Sequence, residues 1–192
     1  MTSDPSATVK WPKVPACYGW LSLDRRGCWR LQGEIIRHAG LIGFINSHYS
    51  ADAAGNWIFQ NGPQAVFVKL DYAPLVLRME ADGTLTAHTG AAAGSVATAY
   101  LDDEGSVLLD TALGIGLLDD RDLPGFLAEC QSARGELAVD DALLATMKGG
   151  AGVFWRGLPV QSLSRRDVPR RFGFNPDPAP YARSDSTREF RA

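Results

Sequence analysis

The stretch GNWIFQNGPQAVFVKLDYAPLVLRM, residues 55–79, constrains the fold more than any other part of this sequence. Aromatic and β-branched residues alternate with polar ones through most of it, which is typical of half-buried strands. One side of the longest predicted strand carries Val66, Val68 and Leu70. The Gly62–Pro63 pair predicts a turn before that strand, and residues 71–74 predict an extended kink, because residues before proline avoid the helical region. The stretch is therefore interpreted as the spine of a β-rich domain.

Turn signals and hydrophobic periods divide the rest of the chain into short strands and a few helices. One helical stripe is formed by Leu41, Phe44, Ile45, His48 and Tyr49. Hairpins are predicted over 20–31 and at the turns 82–83 and 102–105. Helix starts with aspartate caps are predicted at 119–122 and 140–141, and strands over 152–174. The small-residue run 90–99 is expected to be a loop or a weak edge strand.

Composition limits the class of protein. The 192 residues allow one compact domain or two small lobes, and the net charge of −3 argues against a dedicated nucleic-acid binder. Cys17, Cys28 and Cys130 are far apart and form no Cys-x-x-Cys or Cys/His cluster, so we expect reduced thiols rather than disulfides or zinc. The N-terminus lacks a signal-peptide core, and no apolar stretch is long enough for a membrane span. A cytoplasmic protein without membrane contact is predicted.

Residues 24–79 resemble an uncharacterised proteobacterial family known as domain of unknown function 1285. The resemblance is carried by RRGCWRLQGEIIRHAGLIGFI and AAGNWIFQNGPQAVFVKLDYAPLVLRM. The matching positions are Gly27, Trp29, Gly33, Gly55, Trp57, Asp71, Ala73 and Pro74. VPACYGWLSLDRRG and GIGLLDDRDL suggest a closer sister family, also of unknown function. The resemblance implies a fold, but it brings no activity and no catalytic residues.

The implied fold is α+β, with two small β-rich lobes: an α/β roll followed by a mainly-β roll, and a few short helices. Together with the patterns above, this predicts a flexible segment over 1–17, the α/β-roll lobe over 18–70 and the mainly-β lobe with a helical insertion over 71–174. The remaining residues, 175–192, are predicted to be a disordered tail because they are rich in Pro, Ser and Arg.

Charge is distributed unevenly along the chain. Residues 100–147 hold 11 acidic and 2 basic side chains, whereas residues 148–192 hold 4 acidic and 9 basic ones. The two segments either form two binding surfaces or face each other within one fold, and we favour the second arrangement. The basic segment also carries aromatics, so single-stranded nucleic acid remains an alternative partner for Arg165, Arg166, Arg170 and Arg171.

No catalytic constellation is found in the sequence, so we expect no cofactor, no metal and no catalytic residue. The histidines lack metal-ligand spacing, and the aspartate clusters stand where turns and helix caps need them. The candidate ligand-binding residues lie near the predicted junction of the lobes: Trp57, Asp71, Tyr72, Arg78 and His88.

The function that these observations favour is a ligand-sensing or protein-interaction module with a small molecule or a protein as its partner. A homo-oligomer is compatible with this reading, and nucleic acid is the less favoured partner. The alternative is a small-molecule enzyme that uses the same groove between the lobes. An Asp–Arg ion pair next to a packed Tyr72 would be the purely structural explanation of the same residues.

Overall fold

The computed structural model describes residues 11–150 and 152–180. The first lobe consists of β1 (Ala16–Leu23), β2 (Trp29–Leu31), β3 (Glu34–Ile35), α1 (Ala39–Ser47), β4 (Tyr49–Ala51), β5 (Trp57–Asn61) and β6 (Gln64–Leu70). The second lobe begins with β7 (Leu75–Met79), β8 (Leu85–Ala87), β9 (Val96–Asp102), β10 (Val107–Thr111) and β11 (Gly114–Leu118). It continues with α2 (Leu123–Ala128), β12 (Cys130–Ser132), α3 (Asp140–Met147), β13 (Val153–Trp155), β14 (Leu158–Leu163) and α4 (Val168–Phe172).

The first lobe is a six-stranded sheet covered by α1. Its strand order is β3-β2-β1-β6-β5-β4, and the central pair, β1 and β6, is parallel. Gly19, with φ of 72°, lies where the register of β1 shifts, which is a bulge that only glycine adopts without strain. Leu41 and Ile45 of α1 are buried against this sheet, as the first part of the predicted helical stripe requires. The end of the predicted stripe is wrong, because α1 stops before His48, which is exposed at the C-cap, and Tyr49 begins β4.

The second lobe is an eight-stranded sheet with the order β12-β13-β14-β9-β10-β11-β7-β8. Its central strands are buried on both faces. Leu108 and Leu117 point into the core that includes the first lobe, whereas Val107 and Leu109 point into a second core beside α2 and α3. Side chains of one strand therefore alternate between two cores, and the two β-rich lobes are in contact. With its few short helices the fold is α+β, as predicted.

Three further local predictions are wrong, each for an identifiable reason. Within the run 90–99, Val96 begins β9, which lies in the middle of the sheet because Ala99 and Leu101 pack into the second core. Val139 occupies the N-cap position of α3 and makes no side-chain cap hydrogen bond, while Asp140 and Asp141 lie in the first turn, where their negative charge interacts favourably with the helix dipole. The segment after β14 forms a 3-10 turn and α4 rather than strand.

Both predicted terminal segments are only partly described. Residues 1–10 and 181–192 lie outside the described residues. Trp11 packs against Trp20 and Phe59, at ring distances of 6.5 and 5.8 Å. Near the other end, Leu70 N–H donates to the Pro176 carbonyl and Asn175 N–H donates to the Gly55 carbonyl. The chain therefore returns to the first lobe after α4.

Candidate functional site

A cavity of about 430 Å³ lies at the junction of the lobes, where loops of both sheets meet. One wall is the turn after β1, a second is the linker between the lobes, a third is the turn between β9 and β10, and the fourth leads from β11 into α2. The lining residues are Asp24, Arg25, Arg26, Asp71, Glu104, Gly105, Ser106, Leu117, Leu118, Asp120 and Leu123. We call this cavity the groove.

Two of these walls are tight turns, each held by an aspartate at its start. The Asp24 carboxylate accepts hydrogen bonds from the N–H groups of Arg26 and Cys28, at 3.0 and 2.9 Å. The Asp102 carboxylate does the same for Glu104 and Ser106, at 2.9 and 2.6 Å. These Asx-type turns fix the backbone next to the groove, which is why Asp stands at both positions.

Tyr72 and Asp102 form a buried polar pair next to the groove. Tyr72 is 5% exposed, Asp102 is fully buried, and the phenol donates to the carboxylate over 2.7 Å. Burial, and then the hydrogen bond to Asp102, raises the pKa of Tyr72 far above its ordinary value. The guanidinium groups of Arg25 and Arg165 lie 5.1 and 4.8 Å from the centre of the Tyr72 ring, which is cation–π distance.

Most charges around the groove neutralise one another. Arg26 pairs with Asp120 over 2.8 Å, which joins the two lobes, and Arg165 pairs with Glu104. Arg25 donates to the Ser106 hydroxyl over 2.7 Å, but within the described part of the chain it has no carboxylate partner. The exposed Asp71 side chain likewise accepts no hydrogen bond from any described residue. One cation of the lining, Arg25, and one anion, Asp71, thus remain available to a ligand.

The five predicted ligand-binding residues do not form one cluster. Asp71 lines the groove, and Tyr72 is buried next to it. Arg78 forms an ion pair with Asp122, with Nε 2.6 Å from one carboxylate oxygen, instead of pairing with Asp71. Among the described residues, no hydrogen bond, ion pair or ring contact joins any two of the five, so the enzyme hypothesis has no shared constellation there.

Trp57 and His88 lie around Tyr49 at another part of the junction. The Tyr49 ring is 4.7 Å from Trp57 and 5.7 Å from His88, and its hydroxyl donates to the Pro74 carbonyl. Trp57 and Tyr49 line a smaller cavity of about 280 Å³. His88 Nδ1 accepts the Val76 N–H, while the buried Nε2 has no hydrogen-bond partner among the described residues. Burial lowers the pKa of His88 to about 4.

Folding should therefore become less favourable in acid because of His88. Between pH 6.5 and 4 the unfolded chain binds a proton that the buried imidazole does not, so the free energy of unfolding falls as the pH falls. We expect this group to account for a loss of about 3 kcal/mol over that window. His88→Asn keeps an acceptor for the Val76 N–H and should flatten the curve, as measured by urea unfolding at a series of pH values.

His48→Asn is the matched control, because His48 is exposed at the end of α1. The control should retain the acid response of the wild type. An unchanged acid response in His88→Asn would contradict a buried neutral imidazole at this position.

The basic end of the chain contacts the acidic middle. Arg165 bonds to Asp103 through its N–H and to Glu104 through its side chain, and Arg156 pairs with Glu129 over 2.6 Å. The arrangement that we favoured from charge distribution, with the two segments facing each other, is present at these contacts. Arg171 donates to the Tyr100 hydroxyl, while Arg170 is 86% exposed.

Several residues of the groove were not found from the sequence. Arg25, Ser106 and the leucine pair Leu117 and Leu123 lie in three different walls of the groove, which meet only in the folded chain. The one local signal was the turn chemistry of Asp24 and Asp102, which we interpreted as structural. That interpretation agrees with their hydrogen bonds, but it gave no indication that the two turns face each other.

Fold and groove together define a class: a two-lobed α+β protein in which a cavity is built from loops of both sheets. The chain belongs to the DUF2944 family, since the model of that family, described as "Protein of unknown function (DUF2946)", matches residues 5–179. No curated protein matches the chain. In the described part of the chain, every helix falls short of the length or apolarity of a membrane span.

Two solved structures are similar to the chain. A DUF1285 family protein from Silicibacter pomeroyi DSS-3 has a TM-score of 0.52 at 15% identity, over 85% of this chain and 89% of its own. A DUF1285 family protein from Shewanella baltica OS155 has a TM-score of 0.44 at 19% identity, over 56% of this chain and 89% of its own. The first match shows a shared fold, which confirms the resemblance identified from residues 24–79.

Proposed function

We propose that this protein is a non-catalytic ligand-binding module of the cytoplasm, and that its small-molecule site is the groove between the lobes. The observation that carries the proposal is the groove itself, which both lobes and their linker line. Its volume of about 430 Å³ is in the range of small-molecule sites. The described cysteines are all free, in keeping with a reducing compartment.

The position of the groove suits a sensing role. The linker passes directly through its wall at Asp71, and Tyr72 connects that linker to the β9–β10 turn through Asp102. The Arg26–Asp120 pair that joins the lobes is more than half exposed on both sides, and such pairs contribute little to stability. A ligand that contacts both lobes would therefore stabilise one relative arrangement of the lobes. The size of this stabilisation equals the difference between the ligand's binding free energies for the two arrangements.

The alternatives have less support. An enzyme that uses Asp71, Tyr72, Arg78 and His88 together needs contacts among them, but Arg78 is held by Asp122 and His88 lies beside Trp29 and Tyr49. A nucleic-acid binder would use the arginines of the basic segment, but Arg165 and Arg171 contact groups of the protein, which leaves the exposed Arg166 and Arg170 for phosphates. Neither alternative has an observation that favours it over the groove.

Filling the groove should abolish ligand binding without unfolding the protein. The probes are the standard amino acids, common nucleotides, dicarboxylic acids and polyamines, tested one by one by thermal shift. A compound at 100 times its Kd stabilises the folded state by about 2.7 kcal/mol, which raises Tm by roughly 5–10 °C for a chain of this size. Leu123→Trp and Asp71→Trp, on different walls of the groove, should each remove that rise.

Leu127→Trp is the matched control, because Leu127 is on the same helix as Leu123 but is 39% exposed and outside the groove. The control should keep the thermal shift of the wild type. Circular dichroism shows that each variant is folded before the screen. A shift that persists in both groove variants, or no shift with any probe, would refute the proposed site.

A further inference from the structure

We propose that the groove binds a zwitterion of the α-amino-acid type with an apolar side chain. In this arrangement Arg25 contacts the carboxylate, Asp71 contacts the ammonium, and leucines contact the side chain. The inference rests on the proposed function, because it names the ligand class of the same site.

Arg25 is the cation of the groove that is prepared for a carboxylate. A guanidinium has five N–H donors, and the one hydrogen bond that Arg25 makes within the described chain goes to the Ser106 hydroxyl. Stacking over the Tyr72 ring at 5.1 Å holds the group in place. Such a fixed, planar donor set matches a carboxylate in a bidentate fashion at low ordering cost. Arg26 is less available, because it is bound to Asp120 over 2.8 Å.

Asp71 is the anion of the groove that is left for a ligand. Each of the other three acidic residues of the lining faces a guanidinium: Asp24 faces Arg30, Glu104 faces Arg165 and Asp120 faces Arg26. Asp71 has no such partner among the described residues, although its N–H is fixed by the Leu23 carbonyl over 3.0 Å. Its carboxylate can therefore accept hydrogen bonds from an ammonium without losing an existing contact.

The rest of the lining restricts the size and the charge of the ligand that the groove can bind. Leu117, Leu118 and Leu123 give the groove an apolar portion, and its volume of about 430 Å³ lies near the lower end for small-molecule sites. The lining holds four acidic residues and two arginines. Three of the four acidic residues are paired with arginines, so among the described residues one cation and one anion of the lining are left unpaired. A polyphosphate or a tricarboxylate would bring several negative charges to the single free arginine, whereas a zwitterion matches both unpaired charges. An amino acid or a dipeptide with an apolar side chain fits both limits.

The test compares leucine with two analogues that each lack one charge, isoamylamine and 4-methylvaleric acid, by calorimetric titration. A hydrogen-bonded charge contact contributes about 1.5–3 kcal/mol, so each analogue should bind about 10-fold to 150-fold more weakly than leucine. Arg25→Gln should weaken the binding of leucine by a similar factor and leave the affinity for isoamylamine unchanged. Asp71→Asn should weaken the binding of leucine and leave the affinity for 4-methylvaleric acid unchanged.

Arg170→Gln and Asp177→Asn remove the same charge types outside the groove and should change none of the affinities. If other probes bind in the groove by the tryptophan test but leucine does not, or the analogues bind as well as leucine, the zwitterion inference fails while the proposed function stands. If no probe binds in the groove, both fail. Leucine affinity that is equal in wild type, Arg25→Gln and Asp71→Asn also overturns the inference.

Discussion

Replacing Asp102 with alanine is expected to lower the free energy of unfolding by about 3–5 kcal/mol, because it leaves buried donors without an acceptor. Asp102 is fully buried and accepts hydrogen bonds from the Tyr72 hydroxyl and from the N–H groups of Glu104 and Ser106. An alanine methyl group replaces none of these contacts. The turn that Asp102 organises also forms one wall of the groove, so ligand binding should fail together with stability.

Urea unfolding at neutral pH measures this loss, and two further variants separate its causes. Tyr72→Phe removes only one of the three donors and should cost about 1–3 kcal/mol. Asp110→Ala is the control, because Asp110 is a half-buried aspartate on the neighbouring strand β10. A loss below about 1 kcal/mol in Asp102→Ala would contradict the buried network.

Replacing Gly55 with alanine should lower the free energy of unfolding by a comparable amount, about 2.5–5 kcal/mol, by displacing the segment that follows α4. Gly55 has φ of 80°, and a Cβ atom there would lie 2.2 Å from the Gly173 carbonyl oxygen. Backbone strain contributes about 1–2 kcal/mol. The clash also moves Phe174, which is 7% exposed in the first core, and its loss from the core contributes about 1.5–3 kcal/mol.

Two measurements test this prediction: urea unfolding, and limited chymotrypsin digestion at Phe172 and Phe174. Gly62→Ala is the matched control, since Gly62 also has positive φ, 57°, but a Cβ atom there meets nothing within 4 Å. The control should show only the strain cost, about 1–2 kcal/mol, without new cleavage. Equal losses in the two variants would mean that the segment after α4 does not depend on the close approach at Gly55.

The two variants affect different parts of the same architecture. Asp102 fixes the linker to the second lobe, whereas Gly55 lets the returning chain lie against the first lobe. Tyr100, Leu163 and Val168 come from the second half of the chain but belong to the core that the first lobe shares. Both lobes therefore depend on contacts that the sequence places far apart.

Residues that interact with near neighbours were predicted well. The alternation through Val66, Val68 and Leu70 gave β6, the stripe of Leu41 and Ile45 gave α1, and Asp102 and Gly105 gave the β9–β10 turn. Of the three aspartates predicted as possible caps, Asp119 caps the 3-10 turn before α2, while Asp122 occupies the N-cap position of α2 without a side-chain cap hydrogen bond. In each of these cases the period, turn or cap is formed by residues within a few positions of one another.

The candidate site could be predicted only in part. Asp71 and Tyr72 were identified because a proline kink between two strand patterns predicts a junction. Arg78 was expected beside them, but in the structure its side chain reaches Asp122, 44 residues away. Arg25 was missed, since nothing near it in the sequence indicates that Ser106, 81 residues away, is its partner.

The sequence by itself determined most of the strands, the turns and the first helix, because periodicity and turn chemistry act between neighbours along the chain, while the resemblance to a known family implied the α+β class. Only the tertiary structure decided that β9 is a central strand, that the groove lies between two turns, and which charges remain available there. Those outcomes depend on pairing and burial between distant segments, and a carboxylate such as Asp71 or Glu104 has the same local signal whether or not a guanidinium reaches it.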